Sequence, residues 1–124
     1  LIVGEKIKLA DFGLSFKDDK KVKSIGGTID YTAPEVLTGA ITTGSFKCID
    51  IWSIGVLLYE LVTGVLPFQD ETDEITIQRI CSNDYSMVNC ISEDTIAFIR
   101  YILQPDWKLR PTINDILSHP WMQF

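Results

Sequence analysis

Positive charge is scarce in this chain: 11 lysines and arginines stand against 17 aspartates and glutamates in 124 residues, a net charge of −6. With a pI near 4.6, sequence-independent binding to nucleic acid is not expected, because such binding rests on basic surfaces. Cysteine is sparse as well. Cys48, Cys81 and Cys90 are odd in number and lack metal-ligand spacing. A secreted disulfide framework is therefore not indicated, and a reducing cytoplasmic or nuclear setting fits better. The single histidine, His119, has no cysteine or carboxylate at fixed spacing, so it reads as structural. The longest apolar stretch, Ile51 to Tyr59 with Ser53 inside it, is stopped by Glu60. That is far short of the roughly 18 residues a membrane span needs, and no membrane partner is expected. No signal peptide, internal repeat, low-complexity segment or linker is visible.

What remains is an ordered chain of 46% hydrophobic and 23% charged residues, the balance of a globular protein. Its length allows one domain or part of one. Residues 1–3 and 6–9 read as two short strands around Gly4-Glu5, the second alternating polar and apolar as a half-buried strand does. From Asp11 to about Thr43 no period is sustained. Lys17, Lys20, Lys21 and Lys23, interleaved with Asp18 and Asp19, read as a solvated loop, and long ordered loops are usually functional.

Helical signals follow. Residues 50–63 predict a helix capped by Asp50 and ended by Gly64 and Pro67; its residues leave no polar face, so burial on all sides is expected. Thr72 to Ser82 predicts a second, with Ile77, Ile80 and Cys81 on one stripe. Ser92 to Leu103 predicts a third, capped by Ser92. Thr112 and Asp115 have capping-box spacing at the start of a fourth, which His119-Pro120 closes. The expected order is a short hairpin, a functional loop and four helices, a mostly α fold.

Asp11-Phe12-Gly13 precedes Ala33-Pro34-Glu35, with twenty residues from Gly13 to Ala33. The second triplet ends the run Gly26-Gly27-Thr28-Ile29-Asp30-Tyr31-Thr32-Ala33-Pro34-Glu35. Downstream lie Asp50-Ile51-Trp52-Ser53-Ile54-Gly55, Trp107-Lys108-Leu109-Arg110-Pro111-Thr112 and His119-Pro120-Trp121. Together these resemble the C-terminal lobe of a eukaryotic-type protein kinase over residues 1–124, with an activation segment at 11–35 and a helical lobe at 50–124. Gly27-Thr28 resembles the serine/threonine rather than the tyrosine kinases. The style is most similar to the calcium/calmodulin-dependent or AMP-activated group.

The resemblance implies ATP and magnesium as cofactors, with Asp11 as the carboxylate that holds the metal. Phe12 would pack in the core and Gly13 would permit a backbone excursion. Thr28 would contact a catalytic loop, and Ser24 matches the activating phosphorylation site of many kinases. Glu35 and Arg110 would form a buried ion pair, Asp50 would cap its helix and Trp52 would be core. Asp30 and Glu60 match positions that receive arginines upstream of the phosphoacceptor, with Ile25, Ile29 and Thr32 lining the next pocket. Protein substrates, basic around the phosphoacceptor, are the implied partners. The 124 residues contain no Gly-rich phosphate loop, no V-A-I-K-type lysine and no H-R-D-x-x-x-x-N loop. No catalytic base is therefore assigned, and the chain, which starts at Leu1, reads as a fragment from just after that loop. Alone it is expected to be inactive. The rival readings are a non-catalytic interaction module and an incomplete gene product.

Overall fold

The computed structural model describes residues 2–15, 27–42, 44, 46–86 and 91–123. Ser24, Ile25 and the lysine run at 17–23 lie outside them. Ile2–Val3 (β1) and Lys6–Ile7 (β2) pair antiparallel through a turn that places Gly4 at φ 61°, a conformation glycine adopts without steric cost. The hairpin is shorter than its pattern suggested and is not half-buried: Ile7 and Leu9 are 83% and 85% exposed. No described element packs on it closely enough to shield the apolar positions.

Among the described residues five α-helices follow: α1 (Pro34–Leu37), α2 (Phe46–Thr63), α3 (Asp73–Ser82), α4 (Glu93–Ile102) and α5 (Ile113–Ser118). The first lies in a stretch expected to be loop. Pro34 takes its first position, where the missing N–H costs nothing, and the Thr38 hydroxyl donates back to the Pro34 carbonyl. Helix α2 starts a turn earlier than expected. Asp50 is thus its fifth residue, beyond the free amides of the first turn, and does not cap it. The caps of the later helices are in place. Thr72 and Ser92 accept from Ile75 and Thr95 amides, and Thr112 and Asp115 form a reciprocal capping box. Asn83 ends α3 in the left-handed region, at φ 54° and ψ 37°.

The core forms where α2 packs on α4 and where its Trp52, Val56 and Tyr59 join Phe68 and α3's Ile80 in one cluster. Trp52, Val56, Phe68, Ile80 and Ile99 are fully buried there, and Trp52 stacks on Phe68 with ring centroids 5.5 Å apart. Helices α2 and α4 meet at Gly55. A Cβ on it would lie 2.7 Å from Leu103 Cδ2 and 2.8 Å from Ile102 Cγ2, so only glycine allows that approach. A second cluster joins Ile51, Phe98, Ile102 and Ile116. Phe98 is sandwiched by His119 at 4.5 Å and Trp121 at 4.7 Å, which pins the last turn to α4.

Helix α2 is not buried all round. Ile54, Leu57 and Leu61 form an exposed stripe, Leu61 at 74%, because α3, α4 and the segment before α1 cover only part of its circumference. On α3, Cys81 is exposed and Thr76 takes the inner face beside Ile80. Thr76 accepts from the Asp70 amide, so the inner face is i, i+4 rather than the expected stripe. No helix among the described residues is long and apolar enough to cross a membrane.

Candidate substrate-binding site and its anchor

Glu35 stands in the first turn of α1 and Arg110 in the extended residue after the Trp107–Leu109 turn. They are 75 positions apart and meet as a bidentate pair, Nη1 to Oε1 and Nη2 to Oε2, both 2.7 Å. Nε also donates to the Gln104 carbonyl at 2.7 Å, Nη1 to Cys48 at 2.9 Å and Nη2 to Pro105 at 3.3 Å. All five N–H groups of the guanidinium thus have acceptors. Its plane lies over Trp52, 5.0 Å from the ring centroid. Both side chains are almost fully buried. A planar, permanently charged fork suits this geometry, and a lysine does not. The pair ties α1 to α2 and to the loop before α5.

The segment entering α1 folds on itself. Tyr31 N donates to Thr28 O at 3.2 Å, Thr32 N to Ile29 O at 2.8 Å, and the Thr32 hydroxyl to Thr28 O at 3.0 Å. That hydroxyl is thereby committed within the turn, while the Thr32 side chain stays half-buried. Ile29 packs partly against the core. The Thr28 hydroxyl has no hydrogen bond among the described residues. Tyr31 points to α2, where its hydroxyl donates to Glu60 Oε2. The bond to Glu60, then burial and the negative charges of Glu60 and Asp30, push the phenol up to about 12. Asp30, Tyr31 and Glu60 therefore share one acidic corner. The Ser53 hydroxyl donates to the Tyr31 carbonyl at 2.9 Å.

Tyr31 and Ser53 were missed as site residues in the sequence. The signal was present: Ser53 and Glu60 are seven residues apart, two helical turns, hence on one face. Which loop residue that face meets could not be read from spacing.

Asp11 is not brought to this corner. It sits at φ 62° and ψ 72°, exposed, with Oδ1 accepting from the Gly13 amide at 3.4 Å. The left-handed residue is thus Asp11 itself, not Gly13, and aspartate tolerates it through this local bond. Phe12 is 66% exposed rather than core, since no apolar surface among the described residues receives it. No group of three or more His, Cys, Asp or Glu side chains that could hold a metal occurs among the described residues. Asp11 fits magnesium only as a single carboxylate, which is what that ion takes when nucleotide phosphates and water fill its other positions. Asp50 has no hydrogen bond or ion pair among the described residues. Trp52 is wholly buried; its Nε1 lacks a partner there.

A family model described as protein kinase domain matches residues 1–122. Among curated proteins, the chain is 38% identical over 118 residues to an Aurora kinase of Candida glabrata, covering 94% of this chain and 32% of that protein. It is 38% identical over 119 residues to the human SNF-related serine/threonine-protein kinase, covering 94% and 15%. With the serine/threonine-protein kinase ppk16 of Schizosaccharomyces pombe it shares 34% over 121 residues, covering 94% and 18%. The chain thus spans a third or less of the length of these relatives.

Proposed function

This chain belongs to the protein kinase domain family, and from that premise we propose that it is the activation-segment and helical part of a protein serine/threonine kinase. The reaction is transfer of the γ-phosphoryl group of ATP to a protein hydroxyl: the bond to the β-phosphate oxygen breaks, a bond to the serine or threonine oxygen forms, and the hydroxyl proton leaves to a base. Asp11 is the residue here that would hold magnesium, and the ion, when bound, would supply positive charge to offset that of the nucleotide phosphates. Residues 11–35 act as the activation segment, with Ser24 as its regulatory phosphosite. The Glu35–Arg110 pair fixes the end of that segment to the helices. Thr28 presents its free hydroxyl toward the rest of the catalytic apparatus.

Substrate selection falls to the acidic corner. The observation that carries this reading is the convergence of Asp30 and Glu60 on Tyr31. Tyr31 occupies one oxygen of Glu60, leaving Oε1 and the Asp30 carboxylate to receive a basic residue near the phosphoacceptor. Ile29 and Ile25 would line the neighbouring apolar subsite.

The 124 residues contain one of the several groups that phosphoryl transfer needs together, so the chain alone does not turn over. The test is to purify it and measure incorporation of labelled γ-phosphate into a basic peptide mixture with magnesium and ATP. No incorporation is expected. Turnover that disappears in Asp11→Ala overturns this part of the reading. A non-catalytic role is favoured by one observation, the exposed Ile54–Leu57–Leu61 stripe, which suits association more than solvent. Light scattering of the same preparation separates the two readings: a monodisperse monomer counts against the interaction module.

A further inference from the structure

A serine inside a helix ordinarily turns its hydroxyl back to the carbonyl four residues earlier. Ser53 has that option, with Ile49 O at 3.3 Å, but Tyr31 O lies nearer, at 2.9 Å. The hydroxyl carries one proton, and the shorter contact is the better bond. Ser53 is therefore a bridge between α2 and the segment before α1. Two turns further along the same face, Glu60 accepts from the Tyr31 hydroxyl. Helix α2 thus holds one residue at both ends, the backbone by Ser53 and the ring tip by Glu60. The turn it grips is internally bonded from Thr28 to Thr32, and Asp30 sits within it. A shift of the Tyr31 carbonyl consequently moves the Asp30 carboxylate relative to Glu60.

Resting on the reading that Asp30 and Glu60 receive a basic substrate residue, we infer that Ser53 is a specificity-setting positioning residue, fixing the separation of the two carboxylates through Tyr31. The glycine two positions on, Gly55, seats α2 against α4. The face carrying Ser53 is thereby held by packing, so the loss of one hydroxyl releases the loop, not the helix.

The test uses the full chain with tyrosine labelled at Cζ, followed by NMR at pH 10, with Tyr31→Phe to assign the signal. In the wild type, Tyr31 remains un-ionised there, because its phenol is pushed up to about 12 from the ordinary 10.0. Ser53→Ala is expected to ionise Tyr31 about halfway at that pH, while Ser53→Thr retains the wild-type signal. In parallel, affinity is measured for a synthetic peptide with arginine upstream of serine and for its alanine counterpart. Ser53→Ala should weaken the arginine peptide about fivefold, the size of one lost hydrogen bond, and leave the alanine peptide unchanged. If Ser53→Ala unfolds at pH 10, Ser53→Val, which has the shape of the threonine variant without its hydroxyl, takes its place with the same expectation. Tyr31 un-ionised in the serine-deleted variant overturns the inference. Ionisation of Tyr31 with no arginine preference in the wild type upholds the positioning role and refutes the substrate reading instead.

Discussion

The Glu35–Arg110 anchor and the Asp30–Tyr31–Glu60 corner both fasten the segment around α1 to the helices, yet they use charge in opposite ways. At the anchor every guanidinium N–H has an acceptor and both side chains are dry. Such a charge has nothing left to offer a ligand; its work is to hold two distant stretches in one geometry. At the corner, Glu60 is engaged through one oxygen only, Asp30 is partly exposed, and the two carboxylates raise the phenol between them. On the proposed reading, a corner that disfavours a negative charge on its own tyrosine receives a positive one from the substrate. The difference lies in satisfaction and burial, not in residue type.

The comparison breaks most visibly at the anchor. Glu35→Ala or Arg110→Ala should each destabilise by about 3–5 kcal/mol, since each leaves a buried charge alone. The double variant should cost less than the sum. Urea unfolding of all three checks it, and additive costs would show that the pair acts as two independent residues. Gly55→Ala comes next, with about 1–3 kcal/mol expected from forcing a methyl against Ile102 and Leu103. A stabilised variant in the same denaturant series would disprove the close approach.

At the corner the effects are smaller and belong to binding and pH. Affinity for an arginine-containing peptide should fall as salt rises from about 0.05 to 0.5 M, because exposed charges are screened over a Debye length; the urea midpoint shift of Arg110→Ala should hardly change. The folded phenol of Tyr31 lies above its unfolded value, so its bond to Glu60 stabilises fully below pH 10 and is lost toward about 12. The stability gap between wild type and Tyr31→Phe should therefore be flat up to pH 10 and close above it; a gap that stays constant would remove Glu60 as the partner.

The smallest effect lies at the start of α5, just after the anchor's Arg110. Bonds from the Thr112 hydroxyl and amide hold the Asp115 carboxyl below its ordinary 3.8. The capping box thus adds stability above that pH and loses it on further acidification. Thermal melts of Asp115→Asn against wild type should converge as the pH falls through this range.

Much of the helical part was legible because its signals are local. Thr72, Ser92 and the Thr112–Asp115 box announce helix starts through side chains that reach only three residues ahead, and all three stand where the pattern put them. The start of α2 was misread because Asp50 is a good cap by type while Phe46, buried against the core, carried the helix one turn further back. Phe12 and the alternating hairpin misled for a related reason: apolar pattern reports what a residue would bury, and burial needs a surface to meet.

The order of the motifs, the acidic composition, the caps of α3, α4 and α5 and the family were fixed by the order of residues alone, since each depends on chemistry within a few positions or on a run of matched residues. Three things were decided only in three dimensions. Helix α2 comes to rest on α4 because Gly55 lets two backbones approach. Its outer stripe remains wet because nothing among the described residues covers it. Tyr31 joins Glu60, 29 positions away, through a contact that no local pattern encodes. Pairings across such distances cost loop entropy and form only when the core between them has already set the geometry.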